Sequence, residues 1–148
     1  MKKVILLSSI FFTVAFFSQS LQAQTEAQRV ELCARMTGGA TFQSSYSIPL
    51  AAALDGQRPP EFRQAIALQK GNKYRLTVCN NDELPGEAII LFYHAGRLMG
   101  SNYNADTGVM LQSFDFDCNV TGPYMIIVRF KDGREGSAVC VLSHVRTL

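Results

Sequence analysis

From residue 41 to the C-terminus the chain falls into short runs in which apolar and polar residues alternate, or in which apolar residues are unbroken. Each run is closed by residues that favour turns, a pattern that predicts strands rather than helices. The predicted strands are Thr41–Leu50, Phe62–Gln69, Lys73–Cys79, Ala88–His94, Arg97–Tyr103, Met110–Cys118, Tyr124–Phe130 and Ser137–Val145. In Lys73–Cys79, Tyr74, Leu76 and Val78 fall on one face while Lys73, Arg75 and Thr77 fall on the other. Such a strand has one wet side. Phe114 and Phe116 alternate with Asp115 and Asp117 in the same way. The runs 88–93 (AIILFY) and 124–128 (YMIIV) are apolar on both faces. They are expected in the middle of a sheet, with their outer side covered.

Residues 25–36 (TEAQRVELCARM) read as the one helix, with Thr25 able to cap its start and Gly38-Gly39 stopping it. Val30, Cys33 and Ala34 share a face. The expected cover of the doubly apolar strands is this helix. The alternative is a partner docked on Ile89, Leu91, Tyr93, Met125 and Ile127. Lys131-Asp132-Gly133-Arg134 reads as a tight hairpin turn, because Asp-Gly accepts the positive φ angles of type I′. Many short strands at this spacing predict an all-β fold, an antiparallel and jelly-roll-like β-sandwich of about eight strands with one short N-terminal helix.

The N-terminal 23 residues follow a different rule. Met1-Lys2-Lys3 is a basic start, Val4 to Phe17 is almost wholly apolar, and residues 18–23 are polar and small, ending in Ala23. This is the layout of a secretory signal peptide cut after Ala23. The apolar run is short for a permanent span, and no later stretch is long and apolar enough to be one. The expected organisation is therefore a leader (1–23), a helix packed on the sandwich (24–40) and the sandwich itself (41–148), in the periplasm or secreted. The whole chain has 14 basic and 12 acidic residues. Loss of Lys2 and Lys3 with the leader balances them, so bulk charge gives no case for a nucleic-acid or anionic-membrane partner.

Four cysteines, Cys33, Cys79, Cys118 and Cys140, in a small exported chain read as a disulfide framework with three possible connectivities. No C-x-x-C occurs, which argues against a zinc site or a redox pair. The favoured pairing is Cys79–Cys118 with Cys33–Cys140, since Cys79 and Cys118 each end a strand and precede an Asn. Strict alternation opposes it at one point. Cys79 shares a face with Arg75 and Thr77, whereas Cys118 shares one with Phe114 and Phe116, so this pair needs a bulge or a bend.

Residues 62–145 resemble the bacterial pre-peptidase C-terminal domain, a β-sandwich appended to secreted enzymes. The resemblance rests on Lys70-Gly71-Asn72-Lys73-Tyr74 leading into Leu76 and Val78, and on Leu91-Phe92-Tyr93 before Gly96-Arg97-Leu98-Met99-Gly100-Ser101-Asn102. It continues through Phe114-Asp115-Phe116, Thr121-Gly122-Pro123-Tyr124, Ile126 and Val128. The whole chain is also similar to small exported proteins of the Bacteroidota envelope. Both resemblances imply a non-catalytic domain, although this chain has no enzyme attached.

The chemistry agrees with that implication. His94 and His144 have no Ser, Cys or carboxylate partner in a recognised arrangement, and no Gly-x-Ser-x-Gly, His-Glu-x-x-His or phosphate loop occurs. Asp115 and Asp117, with the loop acids Asp82, Glu83 and Asp106, are the carboxylates to weigh for acid–base work or calcium. No cofactor is expected, calcium being the one ion worth weighing, and alternate acids on a strand read first as a solvated face. Binding candidates lie in two loops, 80–84 with Asn81 and Asp82, and 101–106 with Asn102, Tyr103, Asn104 and Asp106. Amides and a tyrosine suit a sugar, although the same residues are ordinary turn chemistry. The expected function is a non-catalytic protein-interaction module of the envelope using Leu91 and Tyr93. A small carbohydrate-binding protein is the alternative, and an enzyme with an unrecognised site ranks below both.

Overall fold

The computed structural model describes residues 17–148, with side chains from residue 25 onward. Helix α1 (Phe17–Arg35) precedes β1 (Thr41–Leu50), β2 (Phe62–Leu68), β3 (Asn72–Asn80), β4 (Ala88–His94), β5 (Arg97–Ser101), β6 (Ser113–Cys118), β7 (Gly122–Phe130) and β8 (Gly136–Thr147). They form two four-stranded antiparallel sheets, sheet A in the order β1-β8-β3-β6 and sheet B in the order β2-β7-β4-β5. The fold is the β-sandwich that the alternation predicts. The expected leader lies mostly outside the described residues, and the helix runs back to Phe17 rather than starting at Thr25. Among the described residues no helix is long and apolar enough to cross a membrane.

The core lies between the sheets. Sheet A contributes Ile48, Tyr74, Leu76, Val78, Cys118, Ala138, Cys140 and Leu142. Sheet B contributes Ile66, Leu68, Ala88, Ile90, Phe92, Tyr124, Ile126, Val128 and Phe130. Phe92 stacks on Tyr124 and meets Phe116 edge-on, with ring centroids 5.3 and 5.0 Å apart. Such offset and edge-to-face pairs add to the area they bury.

Consecutive strands mostly switch sheets, and only β4 and β5 form a hairpin. Its turn, Ala95-Gly96, has φ of 48° and 76°, so Ala95 sits in a left-handed conformation that normally favours Gly or Asn. The hairpin expected at 131–134 is not one. Asp132 and Gly133 do take the positive φ values of 57° and 64°, but β7 lies in sheet B and β8 in sheet A. The turn therefore carries the chain from one sheet to the other. Gly136 just beyond it has no room for a side chain, since a Cβ there would meet the Phe130 ring at 2.3 Å.

The disulfide framework also differs from expectation. One disulfide joins Cys33 to Cys79, with Cα atoms 5.8 Å apart, while Cys118 and Cys140 are free and buried. The reason is strand parity. Val78 and Cys140 face the core, so Cys79 faces outward, where α1 lies. Cys140 therefore has the sheet between it and Cys33. Cys118 is opposite Asn72 and Cys140 opposite Val78 on β3. Six residues of strand separate those positions by about 20 Å, far beyond the reach of about 7 Å for a disulfide. The face conflict at Cys79 was the sequence signal for this outcome.

The helix covers sheet A rather than the doubly apolar strands of sheet B, packing on β8, β3 and β1. Strand β8 is itself apolar on both faces around 138–142, with Val139 and Val141 pointing out to meet Val30 and the Cys33–Cys79 pair. That contact is small. Arg29 adds a hydrogen bond to Ser137 at 3.2 Å. Thr77 and Ser143 are buried, and their hydroxyls find no hydrogen-bond partner among the described residues. Buried hydroxyls without partners cost stability, and with so small an apolar contact the covalent bond carries much of the helix's attachment. Non-reducing peptide mapping is expected to recover Cys33 with Cys79, and native protein to leave two thiols that react only after denaturation. Paired substitution of Cys33 and Cys79 by Ser should lower stability in urea titration. The chain-entropy estimate for a 46-residue separation is about 4 kcal/mol.

Candidate functional site

The strand acids and the two histidines weighed for chemistry are engaged in holding the fold. Asp115 accepts hydrogen bonds from Arg75 Nε at 2.6 Å and Nη2 at 3.0 Å. The remaining Arg75 nitrogen donates to the Thr37 carbonyl at 2.9 Å. The guanidinium thus ties β6 to the turn between α1 and β1. Asp117 pairs with Lys73 at 3.2 Å. The His94 ring stacks on Tyr124 with centroids 4.3 Å apart, and its Nδ1 lies 3.0 Å from the Pro123 carbonyl. His144 Nε2 lies 3.1 Å from the Asn72 side-chain oxygen. Among the described residues no three His, Cys, Asp or Glu side chains gather as a metal ion would need.

The two free cysteines are equally committed. The Cys118 thiol and the Tyr124 hydroxyl both donate to the Val120 carbonyl, at 3.2 and 2.8 Å. Burial, and then the contact with Cys118, pushes the Tyr124 hydroxyl up to about 12. Burial alone pushes the Cys140 thiol up to about 12, which leaves it without thiolate at neutral pH.

The loop candidates divide. Asn102, expected at a binding surface, is only 1% exposed. Its carbonyl accepts from Ile90 N at 2.7 Å, and its amide donates to the Ala88 and Leu111 carbonyls, both at 3.1 Å. It joins β4 to the 109–112 segment, and its burial keeps it from a ligand. Asn81 and Asn104 use their side-chain oxygens in local turns, accepting from Glu83 N and from Asp106 N and Thr107 N. Tyr103 and Asn104 line an open cleft of about 640 Å³ with Ser101, Ala105, Val109 and Leu111. Asp82 lines a separate cleft of about 380 Å³ beside Met36, Cys79 and Gln112. Asn81 and Asp106 line neither.

Leu91 and Tyr93 lie elsewhere, on the outer face of sheet B. Because Ile90, Phe92, Ile126 and Val128 point into the core, Ile89, Leu91, Tyr93, Met125 and Ile127 point away from it. The register sets them in rows. Ala65, Met125, Tyr93 and Leu98 form one, and Arg63, Ile127, Leu91 and Ser101 form the next. Arg129 pairs with Ile89 in the third. Ile89 and Ile127 are buried by their neighbours, while Leu91, Tyr93 and Met125 are half-buried. The helix is on the other sheet, so this apolar band faces outward. Sequence alternation found its apolar members; Arg63 and Arg129 have the same parity and were open to the same inference.

No protein-family model matches the chain, and no curated protein matches it. Among solved structures it is similar to that of Aeromonas hydrophila PliG, a periplasmic lysozyme inhibitor of g-type lysozyme. The identity is 12%, the TM-score is 0.48, and the match covers 74% of this chain and 90% of that chain.

The Arg75–Asp115 pair makes a pH-dependent prediction. The Arg75 hydrogen bonds hold the Asp115 carboxyl below its usual range, so the pair's contribution is complete above the unfolded value of about 3.9. It is lost as pH falls through the lower folded value. Asp115→Asn is expected to cost about 1 kcal/mol at neutral pH, as for a solvent-screened ion pair, and nothing once the wild-type carboxyl is protonated. Urea denaturation across the acid range checks this, and equal losses at both ends would refute it.

Proposed function

We propose that the protein is a non-catalytic interaction module that binds a protein partner on the outer face of sheet B. The observation that carries this reading is the band of Leu91, Tyr93 and Met125 set on Ile89 and Ile127, on the one sheet that α1 leaves uncovered. Contiguous apolar surface rimmed by polar residues is uncommon on a protein that acts alone and marks interaction sites. A flat sheet supplies such a surface without motion, since its side chains are fixed by cross-strand neighbours. Asp115, Asp117 and His94, by contrast, are spent on ion pairs, ring stacking and hydrogen bonds within the chain. The disulfide and the signal-like leader support a site of action outside the reducing cytoplasm, in the periplasm or beyond it.

A second reading rests on the cleft beside Tyr103, whose volume suits a small glycan. Lys131 Nζ already sits 5.6 Å from the centre of the Tyr103 ring, which limits sugar stacking on that side. A glycan array in which Tyr103→Ala abolishes a specific signal would favour this reading over the first. For the first, a partner recovered from an envelope extract and then purified is expected to bind wild type. Leu91→Asp should weaken binding by at least about 100-fold, as when an apolar anchor becomes a desolvated charge. Unchanged circular dichroism and melting would show that the variant folds. Full binding by a folded Leu91→Asp variant would remove the sheet B face from the proposal.

A further inference from the structure

The charges around the apolar band are not balanced. On the outer face of sheet A, Arg75 is matched by Asp115 and Lys73 by Asp117. On sheet B, Arg63 is matched by Glu61 at 2.8 Å. Lys131 lies against the Tyr103 ring and shares a small cleft with Glu87, Asp132 and Arg134. Arg129 is different. It is exposed, stands opposite Ile89 at the edge of the band, and has no hydrogen bond or ion pair among the described residues. A guanidinium offers five donors in a planar fork that fits a carboxylate bidentately.

Resting on the interaction reading above, we infer that the partner is a protein surface that places an aspartate or glutamate on Arg129 while its apolar residues cover Leu91, Tyr93 and Met125. The geometry argues against the other occupants. A second copy stacked face to face would bring another unmatched Arg129 to the same interface. An anionic membrane is recognised by clusters of several basic residues and by protruding apolar side chains. Here the arginines of sheet B without an ion pair among the described residues are Arg129 and Arg97 of the edge strand β5, too few for such a cluster; Ile89 and Ile127 are buried, and their apolar neighbours are half-buried in a flat sheet. A complementary protein surface can supply both the flat apolar contact and the single anchored carboxylate. At the rim of such a contact the charge sets orientation and association rate, while the apolar centre sets residence time.

The test is selection of a random-peptide phage library on the immobilised full chain, followed by titration of the recovered peptides as synthetic probes. The expected peptides combine aromatic or aliphatic residues with at least one acid. Their binding should fall about tenfold on Arg129→Glu and fall less on Arg129→Lys, which keeps the charge and loses the bidentate fork. It should also weaken between about 0.05 and 0.5 M salt. Recovery of no peptides, or of peptides without acids whose binding is indifferent to Arg129→Glu, overturns the inference. Binding of anionic phosphatidylserine vesicles that is lost in Arg129→Glu overturns it in favour of a membrane. Concentration-dependent dimerisation in sedimentation, lost in Leu91→Asp, overturns it in favour of a second copy. Leu91→Asp separates the two levels. If it abolishes peptide binding and Arg129→Glu does nothing, only the acidic partner is refuted. If Leu91→Asp itself has no effect, the interaction face is refuted as well.

Discussion

The constraint on which this structure depends is the two-residue period of its strands. Along β3, Tyr74, Leu76 and Val78 must point into the sandwich, so Arg75, Thr77 and Cys79 must point out. That one assignment places Cys79 under the helix, Arg75 under the α1–β1 turn, and the core-facing Cys140 where no other cysteine can reach it. A slip of one residue would reverse every member of the set. The paired aromatic and aliphatic side chains of the two inner faces resist that slip, because it would send both rows into water.

The two sheets solve the problem of their outer faces differently. Sheet A is closed by α1, a disulfide and two internal ion pairs, Lys73–Asp117 and Arg75–Asp115. Its helix meets the sheet through Val30 against Val139 and Val141, a small hydrophobic contact that a covalent tether makes good. Sheet B keeps an apolar band with Arg129 at its edge, which has no ion pair among the described residues. One face is therefore finished by the chain itself, and the other is suited to completion by a different molecule.

The position of each candidate residue follows from this division. Asn102 looked like a loop amide free to meet a ligand, and its sequence neighbours Ser101, Tyr103 and Asn104 are indeed half-buried or exposed. Its own side chain turns inward and satisfies three backbone groups that the end of β5 leaves unpaired. No local pattern distinguishes an amide that serves the backbone from one that serves a ligand, because the chemistry is the same.

The sequence by itself determined the strands, their inward and outward residues and the β-sandwich class, because these rest on local alternation and turn chemistry. It also held the evidence against pairing Cys79 with Cys118, since both parities are local. What only the tertiary structure decided was which sheet each strand joins, which of two apolar outer faces the helix covers, and which cysteine meets Cys33. The runs 88–93 and 124–128 advertised their need for cover more loudly than residues 138–142, yet the helix lies on β8. Apolar strands far apart in sequence present the same local signal, and only the path of the chain between sheets brings one of them beneath a given helix.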